Sequence, residues 1–531
     1  MKNKFKGFAL LLLLLSSCSF NSEQHFSSID ENIYVSKIIK SKNKNYLEVD
    51  GLPFIYNGIQ IRTDWLINNQ KETIEDIEYY FQVASELGVR CVEIPLRWMD
   101  LEPKEDAYDF RDVSKYMSYA KKYNLRIEFL LFGVNVGGMS GVAPDYIKKD
   151  KATYPQYENT LDHPDALFFV QTNENILNRE KKCAEALMNA IYTWSKESNY
   201  NAVISIQVRN EPDLYLPKIE QYSLKKGNGE QLTFEEGYKE MISSIGSIAS
   251  VIKEAKYKLI TRVNTCCYSL HPELNQKLWN DILSLGNIDL IGEDTYNQEL
   301  TFNKDIIIKM SKLNLKYSTI PQIAENTGHF GNNNSLFLMA NMLGAGYNLY
   351  DMITPSVITD EWGYYDWGLL DNKTKKPKET FVNTKEVLEG INKAGPLFLA
   401  TSSKDIACFN LESNWPKENL SQTINTTKTT YKFETNSKSI GYAINNNEYI
   451  YLFASGNSKV TISNSELESN YAEIGYLNPY GEFINSGDKK EIIKNSISIE
   501  KGNLYRIKTS SLGNLNSNTI DSIYTEVQYE N

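Results

Sequence analysis

The sequence predicts an α/β protein whose main domain is a (β/α)8 TIM barrel, followed by a small all-β sandwich domain. From about Tyr46, short apolar runs alternate with longer stretches of helical period, which is typical of βα units repeated around parallel strands. The short runs number eight, as a barrel of this type requires. After Pro396 the helical period fades, and strand-like segments lie between Asn, Ser and Gly turns.

The eight strand candidates are bounded by turn residues and separated by helical patterns. They are residues 54–60, 91–96, 126–132, 202–208, 259–263, 288–291, 322–324 and 346–349. The first helical pattern stops at Gly88, a residue suited to a left-handed C-cap. The later patterns cover residues 113–123, 184–194, 234–255, 276–285, 306–313, 336–343 and 381–391. Each strand is thus followed by a helix, which predicts a closed parallel barrel over residues 46–395 and a sandwich over residues 396–531.

The composition excludes several classes of function. The chain has 531 residues, 41% of them hydrophobic and 23% charged, which suits two globular domains. Its net charge of −11 disfavours a nucleic-acid surface, because such surfaces neutralise phosphates with Lys and Arg. The cysteines and the four histidines are scattered without a repeated spacing, and no glycine loop could cradle a phosphate. We therefore expect no disulfide framework, no metal site and no cofactor.

The N-terminus resembles a bacterial lipoprotein signal. Three lysines precede an apolar run over residues 8–15, which is too short to span a membrane and therefore indicates a secretory signal over residues 1–17. The sequence Leu-Ser-Ser-Cys that ends at Cys18 resembles a lipobox, whose cysteine is lipidated after cleavage. The alternative is an ordinary cleavable signal. By this resemblance, with Ser19 after the cysteine, we expect an outer-membrane lipid anchor at Cys18, followed by a polar tether over residues 18–45.

Two glutamates end strand candidates that face each other across the mouth of such a barrel. Glu211 follows the fourth strand and Glu325 follows the seventh. Catalytic residues of this fold lie at the C-terminal ends of strands. A pair of carboxylates about 5 to 5.5 Å apart would suit retaining glycoside hydrolysis, with one as nucleophile and the other as acid and then base. Either glutamate by itself could be a solvated strand end, since Asn-Glu also occurs at Glu174 and Glu448.

Further polar and aromatic residues follow other strand candidates. Asp294 and Tyr296 follow the sixth strand, and a tyrosine there could donate a hydrogen bond to Glu325 and keep it ionised. Arg62 and Arg97 lie near strand ends, either as site residues that orient a carboxylate or as ordinary ion pairs of the barrel. Beyond the eighth strand, either Trp362 or Trp367 could stack on a sugar ring or serve only in packing.

Three segments resemble the β-galactosidase-like glycoside hydrolases, families 35 and 42 of clan A. Residues 95–103 read Pro-Leu-Arg-Trp-Met-Asp-Leu-Glu-Pro and lead to Tyr-Asp-Phe at 108–110, which resembles the strand-two signature of those families. Residues 207–211, Gln-Val-Arg-Asn-Glu, are similar to their strand-four motif, and residues 325–330 to their nucleophile region. The resemblance implies Glu211 as acid/base, Glu325 as nucleophile, Asn210 as ligand of the sugar 2-hydroxyl and Tyr296 as partner of the nucleophile. The C-terminal region resembles an uncharacterised domain of lipoproteins from gut Bacteroides.

Together these features predict a lipid-anchored, retaining, exo-acting β-glycosidase that trims poly- or oligosaccharides at the cell surface, with the membrane contacted only through the anchor. Two alternatives stay open at this stage. One is a carbohydrate-binding surface lipoprotein that lost turnover, and the other is a hydrolase that cuts inside chains. The sandwich domain could bind sugar or serve as a spacer. The sequence does not identify the sugar.

Overall fold

The computed structural model describes residues 31–134, 136–137, 141–161, 167–266, 272–327, 333–354, 367–411 and 420–510. Its N-terminal strands are β1 (Ile33–Tyr34), β2 (Ser36–Ile39), β3 (Tyr46–Val49) and β4 (Leu52–Phe54). The last three form a small antiparallel sheet. The Ser36 hydroxyl donates to the carbonyl of Ile204 and accepts from the amide of Ile260, so this segment is fastened to two barrel strands. Residues 33–39 therefore lie in strands, within the range predicted as a tether.

A closed parallel barrel forms the centre of the molecule, which confirms the predicted fold. The next strands are β5 (Asn57–Gln60), β6 (Cys91–Arg97), β7 (Arg126–Phe132), β8 (Val203–Gln207), β9 (Tyr257–Lys258), β10 (Ile260–Thr265), β11 (Leu290–Asp294), β12 (Gln322–Thr327) and β13 (Gly346–Tyr350). All except β9, which pairs with β1, close into the barrel in chain order, with β13 beside β5. Each barrel strand overlaps one of the eight predicted runs. The carboxyl ends of all eight strands therefore lie at the same mouth of the barrel.

Helices surround the barrel and begin and end at recognisable signals. They are α1 (Thr63–Asn68), α2 (Ile74–Leu87), α3 (Trp98–Leu101), α4 (Arg111–Lys122), α5 (Asp145–Lys149), α6 (Glu174–Ser198), α7 (Tyr215–Gln221), α8 (Phe234–Glu254), α9 (Pro272–Ser284), α10 (Leu300–Ser311), α11 (Asn333–Leu343) and α12 (Glu379–Ala394). Thr73 and Asp76 form a capping box at the start of α2, and Gly88 ends it at φ 93°. The C-cap predicted at Gly88 is thereby confirmed.

Helix α6 begins ten residues before the predicted helical pattern at residue 184. Asn173 caps it, because its side chain accepts the backbone amides of Asn175 and Ile176. The first turns carry mostly polar and charged residues, so hydrophobic period does not reveal them. Helices α5 and α7 lie in the two long segments for which the sequence predicts neither strand nor helix, between residues 132 and 184 and between residues 208 and 234. One or two turns of helix are too short for a periodic signal.

A two-sheet β domain follows the barrel, as predicted. After α13 (Pro396–Ala400) come β14 (Ile406–Asn410), β15 (Leu420–Asn425), β16 (Thr430–Thr435), β17 (Ile440–Asn445), β18 (Tyr449–Ala454), β19 (Ser458–Ser463), β20 (Tyr471–Leu477), β21 (Phe483–Glu491), β22 (Ser496–Ile499) and β23 (Leu504–Lys508). The six-stranded sheet has the order β14-β17-β18-β23-β20-β21, and the four-stranded sheet β15-β16-β19-β22. Their alternating apolar residues form a separate core between the sheets.

The outer face of the six-stranded sheet packs on α12 of the barrel. The Tyr442 hydroxyl donates to the carbonyl of Gly390 at 2.6 Å, and a Cβ atom at Gly390 would lie 2.3 Å from the Phe453 ring. Only glycine therefore permits this close approach of helix and sheet. Among the described residues, none of the helices combines the length and the apolar character needed to cross a bilayer.

Candidate active site

Glu325 lies within β12 and is held by side chains from three strands. Its carboxylate accepts a hydrogen bond from Gln60, at the end of β5, with 3.0 Å between Nε2 and Oε1. Its other oxygen accepts from the hydroxyl of Tyr296, which follows β11. Burial raises the pKa of Glu325, while the Tyr296 hydrogen bond, the charges of Arg62 and Arg262 and the Gln60 hydrogen bond all lower it. The hydrogen bond expected from Tyr296 to Glu325 is present.

Glu211 lies just beyond β8, in a left-handed backbone conformation with φ 45°. Its amide donates to Oδ1 of Asn264 at 2.9 Å, and Nδ2 of Asn210 lies 3.3 Å from its Oε2. Burial first, and then the charges of Glu325 and Asp213, raise the pKa of Glu211 to about 8. A carboxyl with this pKa carries its proton at neutral pH, as a general acid must.

An amide network fixes the backbone around Glu211. Oδ1 of Asn210 accepts from Gln207 at 3.0 Å and from Nδ2 of Asn264 at 3.1 Å. Nδ2 of Asn264 also donates to Oδ2 of Asp294 at 2.7 Å. The ends of β8, β10 and β11 are therefore linked by side chains, and Asn210 and Asp294 both lie in the site where the sequence predicted them.

A loop and a short helix lie against the Glu211 side of the mouth. The amide of Gly137 donates to the carbonyl of Asn210 at 3.1 Å, and a Cβ atom at Gly137 would lie 3.5 Å from Oε2 of Glu211. Lys218 of α7 donates its ammonium group to the Gly137 carbonyl. Its charge opposes the rise in the pKa of Glu211. Residues of both long segments therefore contribute to the mouth.

The two candidate arginines have different surroundings. Arg62 binds both oxygens of Asp64 at 2.9 Å and donates to the Tyr350 hydroxyl at 2.8 Å, next to the aromatic side of the site. Its charge lowers the pKa of Glu325. Arg97 instead donates at 2.6 and 2.7 Å to Asp100, an exposed residue one turn into α3. Arg62 therefore joins the glutamate site, whereas the described contacts of Arg97 are those of an ordinary ion pair.

Three aromatic rings cluster beside Glu325. The Tyr296 ring meets Tyr350 edge-on at 5.9 Å between centroids and lies tilted against Trp367 at 5.8 Å. Tyr350 and Trp367 contact each other at 5.7 Å. Trp367 thus lies at the site, and an aromatic wall of this kind can stack on a sugar ring. The other candidate, Trp362, and the proposed lipidation residue, Cys18, lie outside the described residues.

A buried ionic cluster fills the barrel below the site. Arg262 of β10 forms ion pairs with Glu93 of β6, at 2.8 Å, and with Glu128 of β7, and none of the three side chains is exposed. Burial raises the pKa of Glu93 to about 8, against the opposing charge of Arg262. Arg209, which stands beside Asn210 in sequence, points away from the mouth and pairs with Glu180 on α6.

Sequence reasoning missed several residues that act directly on the glutamates, among them Gln60, Asn264 and Lys218. Gln60 and Asn264 could have been found, because they end or follow the first and fifth strand candidates and the strand-end rule applies to them as well. Lys218 carried no such signal. It lies within a short helix of a long connection, and only the folded chain brings it to Glu211. Among the described residues, no group of three or more His, Cys, Asp and Glu is arranged to hold a metal ion.

Comparisons with known proteins reveal distant similarity only. The family model of a domain of unknown function (DUF4978) matches residues 241–416. No curated protein matches the chain. The fold is similar to that of the exo-β-1,4-mannosidase Op5Man5 from Opitutaceae bacterium strain TAV5, at 14% identity and a TM-score of 0.47. That match covers 66% of this chain and only 61% of the mannosidase, so the chain spans less than two thirds of it.

Two other solved structures are similar at the same distance. One is a β-galactosidase from the Antarctic haloarchaeon Halorubrum lacusprofundi, at 12% identity and a TM-score of 0.44, with 64% of this chain and 58% of that chain covered. The other is endo-glycoceramidase II from a Rhodococcus species, at 10% identity and a TM-score of 0.43, with 88% and 100% covered. Similarity at this distance concerns the fold alone.

Proposed function

We propose that the protein is a retaining, exo-acting β-glycosidase of β-galactosidase-like type that removes terminal sugars from poly- or oligosaccharides. One observation carries the proposal. Two glutamates lie at the carboxyl-end mouth of one barrel, one within strand seven and one just beyond strand four, and they have different partners. Burial raises the pKa of Glu325, but two hydrogen bonds and the charges of two arginines oppose that rise. The pKa of Glu211 is raised to about 8 by burial and by the charge of Glu325. One carboxyl suited to attack and one suited to protonate are the pair that retaining hydrolysis requires.

The proposed reaction has two steps. In the first, a carboxylate oxygen of Glu325 forms a bond to the anomeric carbon while the bond to the leaving oxygen breaks and Glu211 transfers its proton to that oxygen. In the second, Glu211, now an anion, takes a proton from water, whose oxygen attacks the anomeric carbon and releases Glu325. The reaction consumes one water and restores both carboxyls.

The residues around each glutamate serve these steps. The hydrogen bonds from Tyr296 and Gln60 lower the pKa of Glu325 and aim its two oxygens, so that it is the first of the pair to ionise. The Asn210 amide beside Glu211 is placed to bind a sugar hydroxyl near the reacting bond. The aromatic rings of Tyr296, Tyr350 and Trp367 offer an apolar wall to the sugar.

Exo action is supported by the contacts that close the Glu211 side of the mouth. Residues 136–137 pair with the end of β8 at Asn210, and Lys218 fastens this segment to α7. A wall at this position favours a pocket over an open groove.

A panel of 4-nitrophenyl β-glycosides tests the proposal, with wild type, Glu325→Gln and Glu211→Gln. Glu448→Gln is the matched control, because Glu448 also follows asparagine but is exposed in the sandwich domain. We expect turnover of at least one glycoside by wild type and the control, and a 2-fluoro sugar should label Glu325. Labelling of another residue would reject Glu325 as nucleophile. Oligosaccharide binding without turnover would instead identify a carbohydrate-binding protein.

We further propose that Cys18 carries a lipid that anchors the enzyme to the outer membrane. The proposal rests on the short apolar run before a Leu-Ser-Ser-Cys sequence. Metabolic labelling with a palmitate analogue should mark the wild-type protein and fail to mark Cys18→Ala. Label retained in Cys18→Ala would contradict the anchor.

A further inference from the structure

A third carboxyl, Asp294, lies on one of the two strands that separate β8 from β12 in the barrel. It ends β11, which separates β10 from β12, and in the sheet its Cα is paired with that of Glu325. The backbone beyond it is also fixed, because the amide of Thr295 donates to the carbonyl of Glu325 at 3.0 Å. The Asp294 residue is only 4% exposed. Its carboxyl therefore belongs to the same buried space as the catalytic pair.

The charged groups facing Asp294 come from every neighbouring strand, and most of them are acidic. Glu325 lies on β12, Glu211 lies beyond β8, and Glu293 precedes Asp294 on β11. Arg262 of β10 opposes them, but its described ion pairs are with carboxylates deeper in the barrel. Burial, followed by the charges of Glu325 and Glu211, raises the pKa of Asp294 well above its ordinary range.

The hydrogen bonds of Asp294 distinguish its two oxygens. Oδ2 accepts from Nδ2 of Asn264 at 2.7 Å. Oδ1 is buried and has no hydrogen-bond partner among the described residues. In a protonated carboxyl one oxygen accepts and the other donates. Oδ2 is thus the accepting oxygen, and a proton on this carboxyl would lie on Oδ1. Such a proton has no acceptor among the described residues, and a buried donor that is left unpaired destabilises a protein.

We propose that Asp294 acts as a neutral carboxylic acid, whose Oδ2 orients the Asn264 amide and whose Oδ1–H donates a hydrogen bond to a hydroxyl of the sugar held between Glu211 and Glu325. This inference rests on the proposed glycosidase function and adds to it a donor that selects sugars with a hydroxyl group at that position. No bond of Asp294 breaks during the reaction. It is a substrate-binding residue, and through Asn264 it also positions the acid/base.

The positioning follows from the two ends of the Asn264 amide. Its Oδ1 accepts the amide of Glu211, so its Nδ2 must point the other way, towards Asp294 and Asn210. An acceptor at Asp294 keeps the amide in this orientation. An asparagine at 294 could do the same, since its carbonyl accepts from Asn264 and its NH2 group donates to the sugar. A leucine at 294 could do neither.

The variants Asp294→Asn and Asp294→Leu therefore test the protonation state. On the 4-nitrophenyl glycoside that wild type hydrolyses best, Asp294→Asn should keep kcat/KM within about threefold and leave its pH profile in place. Asp294→Leu should lower kcat/KM roughly 10- to 100-fold, because the site then leaves a substrate hydroxyl unpaired. If Asp294→Asn loses as much activity as Asp294→Leu, or moves the pH profile, Asp294 works as an anion and the inference is overturned.

Infrared difference spectroscopy of the ligand-free protein gives a readout that needs neither turnover nor the leucine variant. Wild type minus Asp294→Asn should contain the band of a protonated carboxyl at pH 7. The exposed aspartate of the matched control Asp488→Asn should contribute only a carboxylate band. A carboxylate band at Asp294 would reject the inference even if every glycoside is hydrolysed. A protonated band in a protein that hydrolyses none would reject the glycosidase function and the sugar contact, and keep only the neutral carboxyl.

Discussion

The surroundings of Glu325 and Glu211 differ although both glutamates lie at the same mouth of the barrel. Glu325 lies inside a strand and receives hydrogen bonds from Tyr296 and Gln60. Glu211 lies beyond the end of its strand, and its carboxyl accepts hydrogen bonds from Asn210, at 3.3 Å, and from Cys266. Burial acts on both, so the difference in partners decides which carboxyl loses its proton first. The backbones also differ. The hydrogen bonds of the sheet position Glu325, whereas contacts between loops position Glu211.

The largest effect expected from this comparison is a dependence on the leaving group. Glu325→Gln should lower kcat/KM by about 10⁴-fold or more on every substrate, because bond formation fails. Glu211→Gln should cost about 10²- to 10⁴-fold on alkyl glycosides, which need a proton on the leaving oxygen, and little on dinitrophenyl glycosides, which do not. Steady-state kinetics over a leaving-group series measure this difference. Equal losses by Glu211→Gln across the series would remove its role as the acid.

Removing one donor from Glu325 should have the next largest effect. Tyr296→Phe should lower kcat roughly 10- to 100-fold and move the acid limb of the kcat/KM profile to higher pH, because the Tyr296 hydrogen bond lowers the pKa of Glu325. The control is Tyr350→Phe, whose hydroxyl binds Arg62 and leaves Glu325 with its two donors. A larger shift of the acid limb in Tyr350→Phe than in Tyr296→Phe would contradict this assignment.

A smaller effect should separate the two arginines. Arg62→Lys should reduce kcat/KM about tenfold, because lysine cannot bind Asp64 through two nitrogens and also reach Tyr350. Arg97→Lys should change it less than about twofold, since Arg97 binds only Asp100 among its described hydrogen bonds. The same steady-state measurement on both variants suffices. A greater loss in Arg97→Lys would return Arg97 to the site.

The smallest effect expected is on stability, and its sign follows from proton binding. The pKa of Glu211 is about 8 in the folded protein, against about 4.3 in an unfolded chain. The folded state therefore holds a proton that the unfolded state has lost, and stability falls as pH rises between these values. Glu211→Gln should therefore raise the free energy of unfolding relative to wild type at pH 8, with little difference at pH 4. Urea titrations at the two pH values measure it, and a stabilisation confined to pH 4 would contradict the raised pKa.

The sequence by itself determined the barrel, the sandwich and the strand ends at which the glutamates lie. The predictions of the barrel and of the sandwich rest on local patterns, because strand and helix periods repeat along the chain. A left-handed cap such as Gly88 likewise depends only on its own backbone conformation. The rule that functional residues of a barrel lie at the C-terminal ends of its strands placed Tyr296 and Asp294 at the mouth.

Only the tertiary structure decided which strand-end residues act together and which contacts shift the pKa of each carboxyl. Arg62 and Arg97 have equivalent positions in the pattern, yet one lies beside the tyrosines of the site and the other pairs with an exposed aspartate. Lys218 lies in a long connection that shows no helical period in the sequence, and only the fold brings it to the carbonyl of Gly137. Burial and hydrogen bonding depend on all neighbours in space. The sequence does not give the distances between residues that are far apart along the chain. The sequence therefore supplies the two carboxyl groups, and their surroundings in the folded protein set their pKa values.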